Sequence, residues 1–243
     1  MAMIKKILPL ILVAALMFVM TACGSNAGDT ASTQDNGGNT ETKQEASDTE
    51  DKTASESETT EVADDDSFGG SNVLVVYFSR TGEQYTVGVI DEGNTAIVAK
   101  MIAEKTGADT FEILPETDYY PYTYAELTDV AKKEQNENAR PVIKDALPDM
   151  TKYDTVFIGA PVWWGDWPMI MYTFFESADL SGKNLIPFST HEGSGLSGFD
   201  KKLSSAEPDA EVLTGLAIRG NDCQNDKAGV KSKVDEWLSG LGY

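Results

Sequence analysis

From residue 73 onward the sequence predicts an α/β domain, a parallel sheet of five strands wound on both sides by helices. Three observations carry that expectation. Strand-like apolar runs alternate with segments of helical periodicity. The first run is apolar almost throughout, as a strand covered on both faces must be. It then gives way to a loop of hydroxyls and glycine, at the carboxyl edge where open α/β sheets hold their ligands.

Taken in order, the first strand is expected over 73–78, Val-Leu-Val-Val-Tyr-Phe, and runs into Ser79, Arg80, Thr81 and Gly82. Hydroxyls and amides in that loop suit an anion, and Gly82 lets the backbone approach it closely. A helix expected over 94–106 would add its free first-turn amides. This helix carries Ile97, Val98, Met101 and Ile102 at helical spacing and stops at Gly107, a favoured C-terminal cap. Further strands are expected over 110–114, 155–160, 185–189 and 212–218, and further helices over 124–138, 168–177, 198–205 and 227–241. No internal repeat is visible.

The N-terminal third reads differently. Lys5 and Lys6, an apolar stretch over 7–20 and then Thr21-Ala22-Cys23 form a secretory signal over 1–22, too short to span a bilayer comfortably. Cys23 stands where bacterial lipoprotein signals place the cysteine that is diacylated, although Met20 occupies a position where leucine is usual. The expectation is an extracytoplasmic protein anchored to the cell membrane as a lipoprotein. Residues 23–72 are rich in Ser, Thr, Asp, Glu, Gly and Asn and cannot bury enough apolar surface to fold, so they read as a disordered acidic tether.

Charge and thiol usage then exclude several classes. From 24 to 72 there are 13 acidic and 2 basic residues, a net −11 of the chain's −21. The signal holds two lysines, which leaves −12 on residues 73–243 and argues against nucleic acid and against direct docking on anionic lipid. Once Cys23 is acylated, Cys223 is the only thiol, so no intramolecular disulfide can form. A single histidine without a cysteine cluster gives no zinc site.

Two later loops fall at the same sheet edge as the first. After the third strand come Pro161, Val162, Trp163, Trp164, Gly165, Asp166 and Trp167, whose indoles could stack on a large flat ligand. After the fourth come Thr190, His191, Glu192, Gly193, Ser194 and Gly195, small residues whose backbone can press against a ring and offer it amides. One loop for a phosphate and two for an aromatic ring predict an FMN site. Duller roles are open too. At least one indole is expected in the core, Arg80 reads as ligand or as solvated loop side chain, and Glu192 is expected to be exposed.

At these residues the chain resembles the flavodoxin family, in particular its flavodoxin-like reductase branch, across 73–243. The family's phosphate loop, Ser/Thr-x-Thr-Gly-Asn-Thr, occurs here in two pieces. Ser79-Arg80-Thr81-Gly82 is separated from Asn94-Thr95 by an insertion of 11 residues, with glycine at both Gly82 and Gly93. The resemblance implies the flavodoxin-like strand order 2-1-3-4-5 and FMN as cofactor. It implies FMN binding by Ser79, Arg80, Thr81, Gly82, Asn94, Thr95, Pro161, Val162, Trp163, Trp164, Thr190, His191, Gly193, Ser194 and Gly195. His191, the sole imidazole, becomes the candidate catalytic donor to a flavin oxygen or a substrate. Stacked indoles and an acidic surface would disfavour the reduced anionic flavin and lower its potential.

An electron carrier would meet a redox partner protein, whereas a reductase would need a pocket for a small nicotinamide or quinone; the tyrosine-rich segment 118–124 reads either as the roof of such a pocket or as a surface packing on the Trp loop. A surface lipoprotein that binds a ligand without electron transfer is the reading outside redox chemistry. Ser194 with His191 lacks the Gly-x-Ser-x-Gly elbow of a hydrolase. Cys223 with His191 lacks a local activating charge. Neither a dinucleotide fingerprint nor a Walker loop occurs.

Overall fold

The computed structural model describes residues 72–118 and 120–243. The predicted signal over 1–22, the acylation site Cys23 and the tether up to 71 lie outside the described residues. In chain order, β1 (Val73–Tyr77) leads to a short hairpin of β2 (Gly82–Gln84) and β3 (Gly88–Ile90), then α1 (Asn94–Thr106), β4 (Asp109–Glu112) and α2 (Tyr124–Glu137). There follow β5 (Thr155–Pro161), α3 (Met169–Ser177), β6 (Asn184–His191), α4 (Phe199–Ala206), β7 (Glu211–Val212), β8 (Leu216–Arg219), α5 (Gly220–Asn225) and α6 (Lys227–Gly240).

The central sheet is parallel, in the order β4-β1-β5-β6, with β7 and β8 both pairing the far edge of β6. With β7 and β8 counted as one interrupted strand, this is the order 2-1-3-4-5, a doubly wound flavodoxin-like sheet. Alternation within β1 shows both faces covered. Val73, Val75 and Tyr77 join Phe157, Ile186 and Phe188 under α1, α5 and α6, while Leu74 and Val76 join Val156, Ile158 and Leu185 under α3 and α4. Residues of both alternations are buried, so the strands show no apolar-polar alternation and β1 reads as an unbroken apolar run.

The fifth strand is shorter and more divided than the single run expected over 212–218. β6 pairs β7 through Asn184 and Leu185 and pairs β8 from Phe188 to His191, and the gap between falls at Ile186 and Pro187. Proline has no N–H for a ladder, so the neighbouring strand separates there into two pieces. The 11-residue insertion folds largely as the β2–β3 hairpin, and Gly220-Asn221-Asp222-Cys223-Gln224-Asn225 forms α5. Helix α1 ends as expected at Gly107, whose backbone is left-handed at φ 69° and whose N–H donates to Ala103 O. Among the described residues, no helix is long and apolar enough to cross a membrane.

Candidate functional site

The carboxyl ends of β1, β5 and β6 bring three loops to one edge of the sheet. Ser79, Arg80, Asn94, Thr95, Pro161, Val162, Trp163, Thr190, His191 and Ser194 line a single cavity of about 220 Å³. Thr81 instead lines a neighbouring cavity of about 520 Å³, which shares Ser79 and Arg80 with the first. Gly82, Trp164, Gly193 and Gly195 line neither.

On the anion side, the two halves of the divided loop are pressed together. A Cβ at Gly93 would stand 2.2 Å from Ser79 Oγ, so glycine alone fits this crossing. Ser79 Oγ accepts the Ala96 amide at 3.0 Å, which fastens the loop after β1 to the first turn of α1. The amides of Asn94 and Thr95 precede it in that turn and have no intrahelical acceptor, leaving two donors at the positive end of the helix. The Asn94 side chain turns aside, its Oδ1 accepting Gln224 Nε2 at 2.7 Å. Thr95 Oγ1 meets Thr190 Oγ1 at 2.8 Å with both residues buried, tying the helix start to the end of β6.

Arg80 is half-buried rather than solvated. Its Nη1 is buried with no hydrogen-bond partner, and burial holds the guanidinium below its ordinary pKa, partly offset by the negative charge of Asp118. A buried, unpartnered cationic nitrogen on a residue that lines the cavity, together with the free amides of the helix start, is suited to a bound anion.

The three indoles take three different places. Trp163 lines the cavity and packs edge-on against Phe78 and Tyr120, at 5.3 and 5.1 Å between ring centres. Trp164 and Gly165 form a two-residue turn closed by paired hydrogen bonds between Trp163 and Asp166, with φ of 51° and 74°. Such a turn needs left-handed backbone at both central residues, which is rare for a bulky side chain. Trp164 lies along α2, its Nε1 donating to Thr128 O at 3.0 Å and Lys132 Nζ standing 5.0 Å over the ring. Trp167 is in the core, 1% exposed and stacked on Phe199 at 3.6 Å.

His191 closes β6 with Nδ1 accepting the Gly193 amide at 2.9 Å. Burial lowers its pKa below 6.5, with Glu192 and Asp222 opposing and Arg219 assisting, so the ring is neutral and carries its proton on Nε2. Glu192, expected to be exposed, is largely buried. It accepts the Asn221 amide at 2.7 Å and pairs with Arg219 at 3.4 Å, bracing the ring loop against α5. Cys223 is fully buried, and burial pushes its thiol up to about 12, so it supplies no nucleophile.

Other lining residues had no strong sequence signal. Gln84, Tyr85 and Val87 come from the inserted hairpin, and Tyr124 and Leu127 from α2. The hairpin docks there through Glu83 N to Tyr122 O at 3.0 Å, Tyr124 N to Glu83 Oε2 at 2.8 Å, and the Tyr85 and Tyr124 rings 5.4 Å apart. Only the tyrosine-rich composition of 118–124 pointed to any of these.

A doubly wound parallel sheet with an anion cradle after its first strand and an aromatic loop after its third defines a flavodoxin-type protein. The flavodoxin family model matches residues 72–238, and the chain belongs to that family. It is 33% identical to a protein named a flavoprotein from Bacteroides uniformis, with 67% of this chain and 99% of that one covered and a TM-score of 0.53. A second protein of that name, from Bacteroides eggerthii, is 30% identical over 70% of this chain and 98% of its own, with a TM-score of 0.54. A flavoprotein from Lactobacillus acidophilus, crystallised in complex with FMN, shares the fold at 20% identity, 65% and 98% coverage and a TM-score of 0.50. No curated protein matches the chain.

Proposed function

We propose that this chain binds FMN non-covalently and works as a flavodoxin-like redox protein at the outer face of a bacterial membrane, held there by a lipid on Cys23. One observation carries the cofactor reading. Residues from three separate loops line one cavity, among them Arg80, whose buried Nη1 has no partner, Asn94 and Thr95 at a helix start, and Trp163. Family membership and the FMN complex of the Lactobacillus acidophilus relative support the same ligand.

The residues fit the group at both ends. Arg80, the Ser79 hydroxyl and the amides of Asn94 and Thr95 would hold the phosphate, and Pro161, Val162, Trp163 and Thr190 would border the ring. Bound FMN supplies one- or two-electron chemistry. The chain's own part is to orient the ring, to exclude water with Trp163 and the hairpin, and to present a neutral imidazole whose Nε2–H can donate to an oxygen. Glu192, held by Arg219 and the Asn221 amide, keeps the ring loop in position.

A second reading, a reductase acting on a nicotinamide or quinone, is favoured by the space adjoining the cavity beyond Tyr124 and Trp163. A protein that binds FMN only to carry electrons would not need it. The cofactor reading is tested by titrating the purified chain with FMN and with riboflavin, following flavin fluorescence and the visible spectrum. FMN is expected to bind and riboflavin to bind far more weakly. Absence of FMN binding overturns the reading, and equal affinities overturn the phosphate assignment.

A further inference from the structure

A helix start that is to hold an anion has to be kept open. The N-cap of α1 is Gly93, which has no side chain to offer, and no acidic residue stands in the first turn. Asn94 and Thr95 do carry polar side chains there, and both are engaged elsewhere. Thr95 is tied to Thr190, and Asn94 Oδ1 accepts Gln224 Nε2 at 2.7 Å. An asparagine left free tends to bond nearby backbone N–H groups, so an untied Asn94 oxygen would compete with a phosphate for the same amides.

Gln224 comes from α5, 130 residues further along the chain, beside the fully buried Cys223. The same side-chain amide also donates to Glu92 O, at 2.9 Å. One NH₂ group therefore holds the residues on both sides of Gly93, the glycine that crosses Ser79. A shift of either neighbour would move that crossing and the two free amides with it. Helix α5 also closes tightly on Asn94. A Cβ at Gly220 would stand 2.4 Å from Asn94 Nδ2 and 2.9 Å from Glu192 Oε1. The Glu92 carboxylate is paired with Lys100 and Lys227 at 2.6 and 3.2 Å, so Gln224 acts on this segment through hydrogen bonds and not through charge.

We infer that Gln224 is a positioning residue for the flavin phosphate: it draws the Asn94 side chain aside, fixes Glu92 O, and so keeps the amides of Asn94 and Thr95 open to an anion. The inference rests on the FMN reading and adds to it a residue that does not itself line the cavity. Its effect is selective. Loss of the Gln224 amide disturbs the phosphate half and leaves the ring half in place, whereas a merely structural role would affect every flavin alike.

The test uses the full chain, titrated with FMN and with riboflavin by flavin fluorescence, with urea unfolding measured alongside. Gln224→Met keeps the length of the side chain and removes both donors. Gln224→Ala removes them with the best helix former at a half-buried position. Each is expected to weaken FMN about tenfold, the scale of one lost hydrogen bond, and to leave riboflavin as in the parent. In an Asn94→Ala background there is no side chain to hold aside, so Gln224→Met is expected to cost FMN less than it does in the parent. The inference is overturned if both Gln224 variants bind FMN like the parent, if they weaken FMN and riboflavin by the same factor, or if Gln224→Met costs as much in the Asn94→Ala background. Failure of both variants to fold would make Gln224 a structural residue and overturns it too. Those outcomes leave the cofactor reading standing, whereas a parent that binds no FMN overturns both.

Discussion

The hydroxyls of Thr95 and Thr190 meet at 2.8 Å in a site closed to solvent, joining the first turn of α1 to the last turn-facing residues of β6. One belongs to the anion cradle and the other to the ring loop, so this single bond sets the spacing between the two halves of the cavity. Thr95→Val or Thr190→Val leaves the other hydroxyl buried without that partner and is expected to lower stability by about 1–3 kcal/mol. The double variant removes both groups and is expected to recover part of the loss. Urea unfolding of the four chains measures this, and additive losses would show that the two hydroxyls do not depend on each other.

Arg80 gives the sharpest test of the anion cradle. Its buried Nη1 has no partner within the protein, so a bound phosphate would supply the missing acceptor. Arg80→Ala is expected to cost FMN about 1.5–3 kcal/mol of binding, the range for a hydrogen bond to a charged group. Riboflavin, which has no phosphate, should be nearly indifferent. An equal loss for both flavins would place Arg80 beside the ring or in a purely structural role.

The sequence made the sheet legible because both faces of each central strand are buried, and continuous runs such as Val73 to Phe78 have no other easy reading. The cradle was legible for a different reason. Its residues keep a family spacing once the insertion between Gly82 and Gly93 is set aside. The hairpin in that insertion was not legible, because its strands are three residues long, each opens on a glycine, Gly82 and Gly88, and neither shows apolar alternation. Helix α5 was hidden in the same way, since only Gly220 and Cys223 of its polar six residues are buried. The separate fates of Trp163, Trp164 and Trp167 depend on a two-residue turn, and indole side chains alone do not announce the backbone that carries them. Pro187, and Gly215 within the run itself, were the visible marks of the broken fifth strand.

Far from the site, Glu207 sets a pH dependence. Burial, with Asp179 and Asp209 adding repulsion, pushes its carboxyl from 4.5 up to about 7. The folded chain therefore keeps a proton that the unfolded chain releases, so this contribution to stability is full below pH 4.5 and is lost as pH rises toward 7. Glu207→Gln keeps the shape and removes the titration. It is expected to raise stability above pH 7 by about 1 kcal/mol, allowing for solvent screening at a partly exposed site. Urea midpoints of parent and variant across this range should converge at low pH and diverge as pH rises, and parallel curves would remove Glu207 from the account.

The membrane half of the proposal turns on Cys23. A stably anchored lipoprotein needs two acyl signals, because one chain gives only marginal and reversible binding, and diacylation at a single cysteine supplies both. Residues 24–72 cannot substitute for the lipid, since their net charge of −11 is repelled by anionic headgroups. Cys23→Ser is therefore expected to move the protein out of the membrane fraction and to abolish labelling by a fatty-acid analogue. FMN affinity and unfolding of the domain should stay as in the parent, because residues 24–72 separate the acylation site from the domain in sequence. If Cys23→Ser remains with the membrane, the apolar segment over 7–20 is itself the anchor and the lipoprotein reading falls, with the flavin site untouched.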